Sequence, residues 1–330
     1  MEQTMRAIVL DGPGPVESLK IRDVPIPLPK PGWVRIRVKA FGINRSELHT
    51  RLGFAGEAVT YPRVLGIEAT GVIDLDPSGT LVPGQQVVTM MGGMGRSFDG
   101  GYAEYTCVPL GQVIPFTSNL GWESLGAVPE MLQTAYGSLN VGMDFQAGQS
   151  ILIRGGTSSI GMAAVALAKR QGAAAIFATT RNPAKAGALR RLGVDHVLID
   201  DGGIAAQIRA ILPGGVDSAL ELVGTPTLQD TLRAVRVHGT VCFSGMLSNQ
   251  WTVKDFYPIE YLPKGVRLTA YSGGPEDLPA DILQAYLDDA QRGMVPIPVD
   301  EVFSFERIHD AHRKMESGAA AGKLVVLTER

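Results

Sequence analysis

Apolar and polar positions follow two different rhythms along this chain, and the change comes at about Gly126. Before it, short stretches alternate with period two between punctuating Gly and Pro residues. Val34-Arg35-Ile36-Arg37-Val38-Lys39-Ala40 is the clearest, a strand with one buried face. Further strands are predicted at Arg6 to Leu10, Gly71 to Leu75, Gln86 to Met90 and Tyr102 to Val108. Several short strands separated by turns predict a compact barrel. Pro25, Pro27, Pro29 and Pro31 mark an extended connection within it, because Pro-rich segments adopt open, polyproline-like backbone.

After the break, apolar strands alternate with helices. Ser150 to Arg154 is a short apolar strand that runs into Gly155-Gly156-Thr157-Ser158-Ser159-Ile160-Gly161, and Met162 to Gln171 continues as a helix that Gly172 stops. A second strand, Ala174 to Thr179, precedes Asn182-Pro183, an N-cap followed by Pro at the first helical position, and that helix ends at Gly193. His196 to Ile199 is a third strand. A helix near Ile204 to Leu212, a strand near Ser218 to Leu222, a helix near Leu228 to Val235 and strands near Thr240 to Phe243 and Val266 to Tyr271 follow. This alternation predicts an α/β, doubly wound parallel sheet covered on both faces. An amphipathic helix, Ile282 to Arg292, and a closing strand, Lys323 to Leu327, complete the chain, and that strand is expected to return to the first domain.

Composition narrows the chemistry. The 330 residues are 45% hydrophobic and carry a formal net charge of -3, so no basic field invites nucleic acid or anionic lipid. A membrane span needs about 20 apolar residues and none is present, so the expected location is the cytoplasm. Cys107 and Cys242, the two cysteines, cannot build a disulfide framework or a four-cysteine zinc lobe, and read as buried small hydrophobes. A small-molecule function is favoured.

The Gly-rich turn is the strongest chemical signal. Its position between a strand and a helix directs backbone N–H groups and the positive helix end at a pyrophosphate. Gly156 permits the tight turn, Gly161 permits close strand–helix packing, and the hydroxyls of Thr157, Ser158 and Ser159 are available to phosphate oxygens, with Ile160 beside them. Ser158 stands where the full dinucleotide fingerprint has its middle Gly. The end of the next strand, at Thr180, should face the adenosine ribose, where selectivity for NAD calls for Asp or Glu. From Met162 to Val194 there is no acid, whereas Arg181 and Lys185 follow that strand. NADPH is therefore the expected cofactor. No Gly-x-x-x-x-Gly-Lys-Ser/Thr loop is present, and no Tyr is followed four residues later by Lys, which disfavours nucleotide triphosphatases and short-chain dehydrogenases.

These residues resemble the medium-chain dehydrogenase/reductase superfamily, in its zinc-free quinone oxidoreductase branch. The resemblance spans the chain and rests on Met5-Arg6-Ala7-Ile8-Val9, Gly42-Ile43-Asn44, Pro62 to Val72, Gly100-Gly101-Tyr102-Ala103-Glu104-Tyr105, the Gly-rich turn and Gly322-Lys323-Leu324-Val325. It implies a GroES-like β-barrel catalytic domain (1–126 and 273–330) and a Rossmann domain (127–272), with substrate and nicotinamide meeting in the cleft between them. Zinc-dependent relatives place Cys where this chain has Asn44 and His where it has Ile67, so no metal is expected. The resemblance puts Asn44 and Thr134 near the nicotinamide, and Val223-Gly224 and Ser244-Gly245-Met246 beside its ribose and carboxamide. It also implies a homodimer, through the edge strand Val266 to Tyr271.

The implied reaction is hydride transfer from NADPH to a quinone or to the C=C of an α,β-unsaturated carbonyl compound. Charge then develops on the acceptor oxygen and needs a donor, for which His49 is the first candidate, Tyr61 the second and solvent the rival. His196, His238, His309 and His312 are expected to be structural or exposed. An enoyl-thioester reductase and a catalytically silent dinucleotide-binding protein remain as alternatives.

Overall fold

The computed structural model describes residues 3–329 of the chain. It divides into two compact units, Met1–Glu130 with Gly274–Arg330, and Met131–Gly273.

In the first unit the period-two pattern builds two sheets. Thr4–Leu10 lies between Leu19–Pro25 and Arg63–Val64 in an antiparallel three-stranded sheet. The larger, seven-stranded sheet runs Val299–Ser304, Lys323–Leu327, Trp33–Ile43, Glu68–Leu75, Gln86–Met90, Val113–Pro115, with Tyr105–Pro109 paired to Trp33–Ile43 as well. Trp33–Ile43 is the spine, because its alternate residues Val34, Ile36 and Val38 all face the core. Phe41 stacks on Tyr102 at 4.5 Å between ring centroids and anchors that core. The closing strand pairs antiparallel with the spine, Leu324 opposite Ile43 and Leu327 opposite Ala40.

In the second unit six parallel strands lie in the order His196–Ile199, Ala175–Thr180, Ser150–Arg154, Val216–Glu221, Val235–Phe243, Arg267–Ala270. Counted within the unit this is 3-2-1-4-5-6, the doubly wound dinucleotide-binding order, whose switch point falls between Ser150–Arg154 and Val216–Glu221. Leu152, Phe177, Ala219 and Val241 are buried because strands covered on both faces are apolar throughout. Arg267–Ala270 is an edge strand of this sheet.

Three elements depart from the periodicity. The helix Arg45–Arg51 has no apolar stripe, and Leu19–Pro25 is a largely exposed strand with no alternation to betray it. The helix after the Gly-rich turn starts at Ser159, three residues before the sequence pattern turns helical, because Ser158 caps it.

Candidate functional site

The turn after Ser150–Arg154 lies at the carboxyl end of the first strand, beside the switch point. Gly155 takes φ +88°, and a Cβ there would meet Leu222, Val223 and Leu247. A Cβ on Gly161 would come within 2.5 Å of the Gly155 carbonyl, so helix and strand approach as closely as they do only through Gly. The helix Ser159–Arg170 points its N-terminus at this turn. Backbone N–H groups of Ser159 and Ile160 find no acceptor among the described residues, which leaves an anion-ready helix end.

The three hydroxyls of the turn differ in what they can do. Ser158 Oγ donates to the Gly155 carbonyl (2.9 Å) and accepts from the Gly161 N–H (3.0 Å). Its donor is committed to shaping the turn, which corrects the expectation that all three hydroxyls face phosphate. Thr157 and Ser159 have no such commitment among the described residues.

At the neighbouring strand end, Thr180 is buried and its hydroxyl donates to the Asn182 carbonyl (3.2 Å). Arg181 is exposed and makes no ion pair or hydrogen bond among the described residues, and Lys185 follows on the next turn. Asp200, at the end of the third strand, is held by Arg154 through two contacts of 2.8 and 2.7 Å. The Arg154 guanidinium keeps that carboxyl below its usual range, against the opposing effect of burial.

The remaining cofactor candidates of this unit converge on the fourth strand. Glu221 is buried, and its carboxylate accepts from the N–H groups of Val223 (2.7 Å) and Gly224 (3.0 Å) and from the hydroxyls of Thr227 and Thr231. Its backbone carbonyl receives the N–H groups of Ser244 and Gly245, both at 3.1 Å. Gly245 has no room for a side chain, since a Cβ would lie 2.5 Å from the Leu222 carbonyl oxygen. Met246 leads into the same loop, where the Leu247 N–H reaches the Leu222 carbonyl. Ser244 Oγ meets Ser138 Oγ at 2.8 Å, and Ser138 donates to the Thr134 carbonyl (2.7 Å). Thr134, Ser244-Gly245 and Val223-Gly224 are thus linked by hydrogen bonds through Ser138 and Glu221, and Gly155 of the Gly-rich turn lies against Leu222, Val223 and Leu247.

In the first unit, Asn44 precedes the helix Arg45–Arg51 in extended backbone. Its N–H donates to Glu47 Oε2 (2.9 Å), one half of a capping box that a polar helix needs in order to start. Its side chain donates from Nδ2 to Glu68 Oε1 (2.8 Å) and accepts from Lys323 Nζ at Oδ1 (2.5 Å). Lys323 also pairs with Glu68 (2.7 Å) and Glu130 (3.2 Å), all deep in the unit. Burial pushes the Glu68 carboxyl up, an effect that Lys323 offsets only in part. Burial alone would lower the Lys323 ammonium, but Glu68 and Glu130 overcome this and raise it. Glu47 is pushed up to about 7 by burial, despite an N–H donated by Ile67 (2.9 Å).

His49 is buried in the same helix, its ring 6.1 Å from Phe54. Tyr61 donates its hydroxyl to the Thr50 carbonyl (3.0 Å), and burial raises its pKa, so its proton is already engaged. His196 stacks on Phe177, His309 meets the Leu19 carbonyl, and His312 is buried beside Tyr102 with its pKa driven down to about 3 by burial. Burial raises the Cys107 thiol to about 11 and raises Cys242 as well, which makes both poor nucleophiles.

The sequence assigns Glu47, Glu130 and Lys323 no role, and Glu68 reads there only as a lone metal ligand that could not hold an ion. Asn44-x-x-Glu47 is a capping pattern and was a readable signal for the first of them.

Comparison with known proteins decides the family. Residues 30–118 match the alcohol dehydrogenase GroES-like domain and residues 192–326 the zinc-binding dehydrogenase model. The chain belongs to the medium-chain dehydrogenase/reductase superfamily, in its quinone oxidoreductase-like branch. It is 26% identical to the putative quinone oxidoreductase YhfP of Bacillus subtilis, with 91% of each chain covered. It is 29% identical to the Spectinabilin polyketide synthase system protein NorB of Streptomyces orinoci, over 96% of this chain and 14% of that one. The crystal structure of AibC superposes with a TM-score of 0.88 at 25% identity, covering 100% of this chain and 97% of the other. The fold is accordingly a Rossmann-type parallel sheet with a GroES-like β unit, and the protein is an oxidoreductase whose turn and membership support a nicotinamide dinucleotide cofactor.

Proposed function

We propose that this oxidoreductase uses NADPH, without a metal, to reduce a quinone or the C=C of an α,β-unsaturated carbonyl compound. The observation that carries the cofactor choice is electrostatic. At the strand end where an NAD site offers a carboxylate, this chain offers the unengaged Arg181 and then Lys185, and the nearest strand-end acid, Asp200, is taken by Arg154.

The turn has the form the cofactor requires. Gly156 and Gly161 leave no room for a Cβ, and the Ser159 and Ile160 N–H groups stand ready for a pyrophosphate. Bound there, reduced nicotinamide supplies a hydride. Arg181 and Lys185 hold the 2'-phosphate, while Thr134, Val223, Gly224, Ser244, Gly245 and Met246 orient the ribose and carboxamide. Asn44, by the family resemblance, would be a further residue for the nicotinamide. His49 is the candidate donor to the acceptor oxygen, because the Tyr61 proton is held by the Thr50 carbonyl.

A zinc ion does not fit the residues present. Asn44 and Ile67 stand at the positions where zinc-dependent relatives have Cys and His, and Glu68 is bonded to Lys323 and Asn44. Among the described residues, no group of three or more His, Cys, Asp and Glu is placed to hold a metal.

The second reading is reduction of an enoyl thioester, supported by similarity to short segments of two polyketide synthase proteins, one of them named as highly reducing. A homodimer formed through the edge strand Arg267–Ala270 completes the proposal, since its outer backbone groups need a partner or cover. The test is NADPH oxidation with a panel of quinones, enones and enoyl thioesters. Turnover with quinones or enones is expected, turnover with thioesters alone supports the second reading, and binding without turnover overturns both.

A further inference from the structure

The least expected feature of the first unit is a lysine with almost no contact with water. The Lys323 side chain is 1% exposed, and each of its three partners, Asn44, Glu68 and Glu130, is buried too. We propose that Lys323 is a positioning residue, whose ammonium orients the Asn44 amide and fixes the start of the helix that carries Thr134. The proposal rests on the functional reading above, in which Asn44 and Thr134 face the nicotinamide.

The chemistry of the contacts carries it. An ammonium can only donate and an ionised carboxylate can only accept. With Lys323 on one side of Asn44 (2.5 Å) and Glu68 on the other (2.8 Å), the amide has one stable orientation, Oδ1 toward the lysine and Nδ2 toward the glutamate. A reversed amide would aim its N–H group at the ammonium and its oxygen at the carboxylate. The charge pair thereby fixes the buried Asn44 amide in one orientation, which uncharged neighbours would not do.

The same pair reaches the helix Pro129–Gly137. Glu68 Oε2 accepts the Glu130 N–H (2.8 Å), and Lys323 Nζ donates to the Glu130 carboxylate (3.2 Å). Thr134 lies about one turn further along this helix. The backbone has made room for the arrangement. A Cβ on Gly42 would fall 2.3 Å from both Glu68 Oε1 and Lys323 Cε, so the strand opposite Lys323–Leu327 carries Gly where the pair lies.

Lys323→Met alone strands two buried carboxylates and puts folding at risk, so the decisive variant is the double substitution Lys323→Met with Glu68→Gln, which leaves only Glu130, the more exposed of the two at 10%, without its cation. Two readouts are needed on the folded protein with NADPH: steady-state kcat and KM, and the fluorescence spectrum of the bound reduced nicotinamide, which needs no turnover. The phosphate-binding turn is untouched, so the Kd for NADPH should stay within about threefold of the parent. The kcat should fall about 10- to 100-fold and the bound fluorescence should shift, as expected for a misplaced ring. A double variant with parental kcat and parental fluorescence overturns the positioning role and leaves the functional reading intact. A parent chain that oxidises NADPH with none of the acceptors overturns the functional reading instead, and the fluorescence comparison still decides the role of Lys323.

Discussion

Lys323 in the first unit and Arg154 in the second are each a buried cation among three carboxylates, and the two clusters solve that problem differently. In the second unit Arg154 reaches Asp200 by two contacts, Asp230 at 2.8 Å, the Thr231 hydroxyl and the Thr227 carbonyl. Its planar, many-donor head matches these acceptors, and Glu221 draws on backbone N–H groups and threonine hydroxyls instead. In the first unit the Lys323 ammonium serves Asn44, Glu68 and Glu130, and none of its contacts reaches Glu47. Burial therefore drives Glu47 up to about 7. In one cluster the guanidinium holds Asp200 in its charged form at the strand that enters the Gly-rich turn, while burial raises the Glu221 carboxyl. The other holds a proton that leaves near neutrality, beneath the residue proposed to meet the nicotinamide.

The comparison can be broken most forcefully at Lys323. Lys323→Met leaves Glu68 and Glu130 without their cation in a dry interior, and should cost about 3–5 kcal/mol of stability by urea unfolding. A smaller loss, about 2–3 kcal/mol in the same measurement, is expected for Arg154→Met. Asp230 keeps some contact with water, its side chain being 21% exposed, and can be partly solvated when the guanidinium goes.

Glu47 sharpens the contrast through pH. Its folded pKa of about 7 lies above the ordinary 4.5, so between these values the folded chain holds a proton that the unfolded chain has lost. The stabilisation is complete below pH 4.5 and is lost as pH rises through about 7. Glu47→Gln removes this dependence. Relative to the parent, the variant should gain about 2 kcal/mol between pH 5 and pH 8, read from unfolding midpoints at the two pH values. An unchanged difference would mean that Glu47 is ionised throughout.

The smallest effect is expected away from both clusters. Tyr271→Phe removes the hydroxyl that accepts from the buried Gln133 amide at 2.6 Å, and should cost about 1–2 kcal/mol.

How much of this was legible in the sequence depended on distance along the chain. The parallel sheet was readable because each strand is a short apolar run bounded by Gly or a helix cap, as at Ser150 to Gly155. The Gly-rich turn was readable for the same local reason, although the commitment of Ser158 to the helix cap needed the hydrogen bonds themselves. The helix Arg45–Arg51 escaped the periodicity because its residues are mostly polar, and only the capping pattern at Asn44 and Glu47 marked it. The Lys323 cluster was beyond local reading. Lys323 and Asn44 are 279 residues apart and meet only because the closing strand pairs with the spine of the first unit, a placement that periodicity does not encode.

The cofactor assignment is the claim on which the rest depends, and calorimetry tests it most directly. The Kd values for NADPH and NADH should be measured on the parent chain and on Arg181→Ala. The account predicts that NADPH binds more tightly to the parent and that the preference shrinks about 10- to 100-fold in the variant. Equal or tighter binding of NADH by the parent chain, or a preference that survives the loss of Arg181 unchanged, would contradict it.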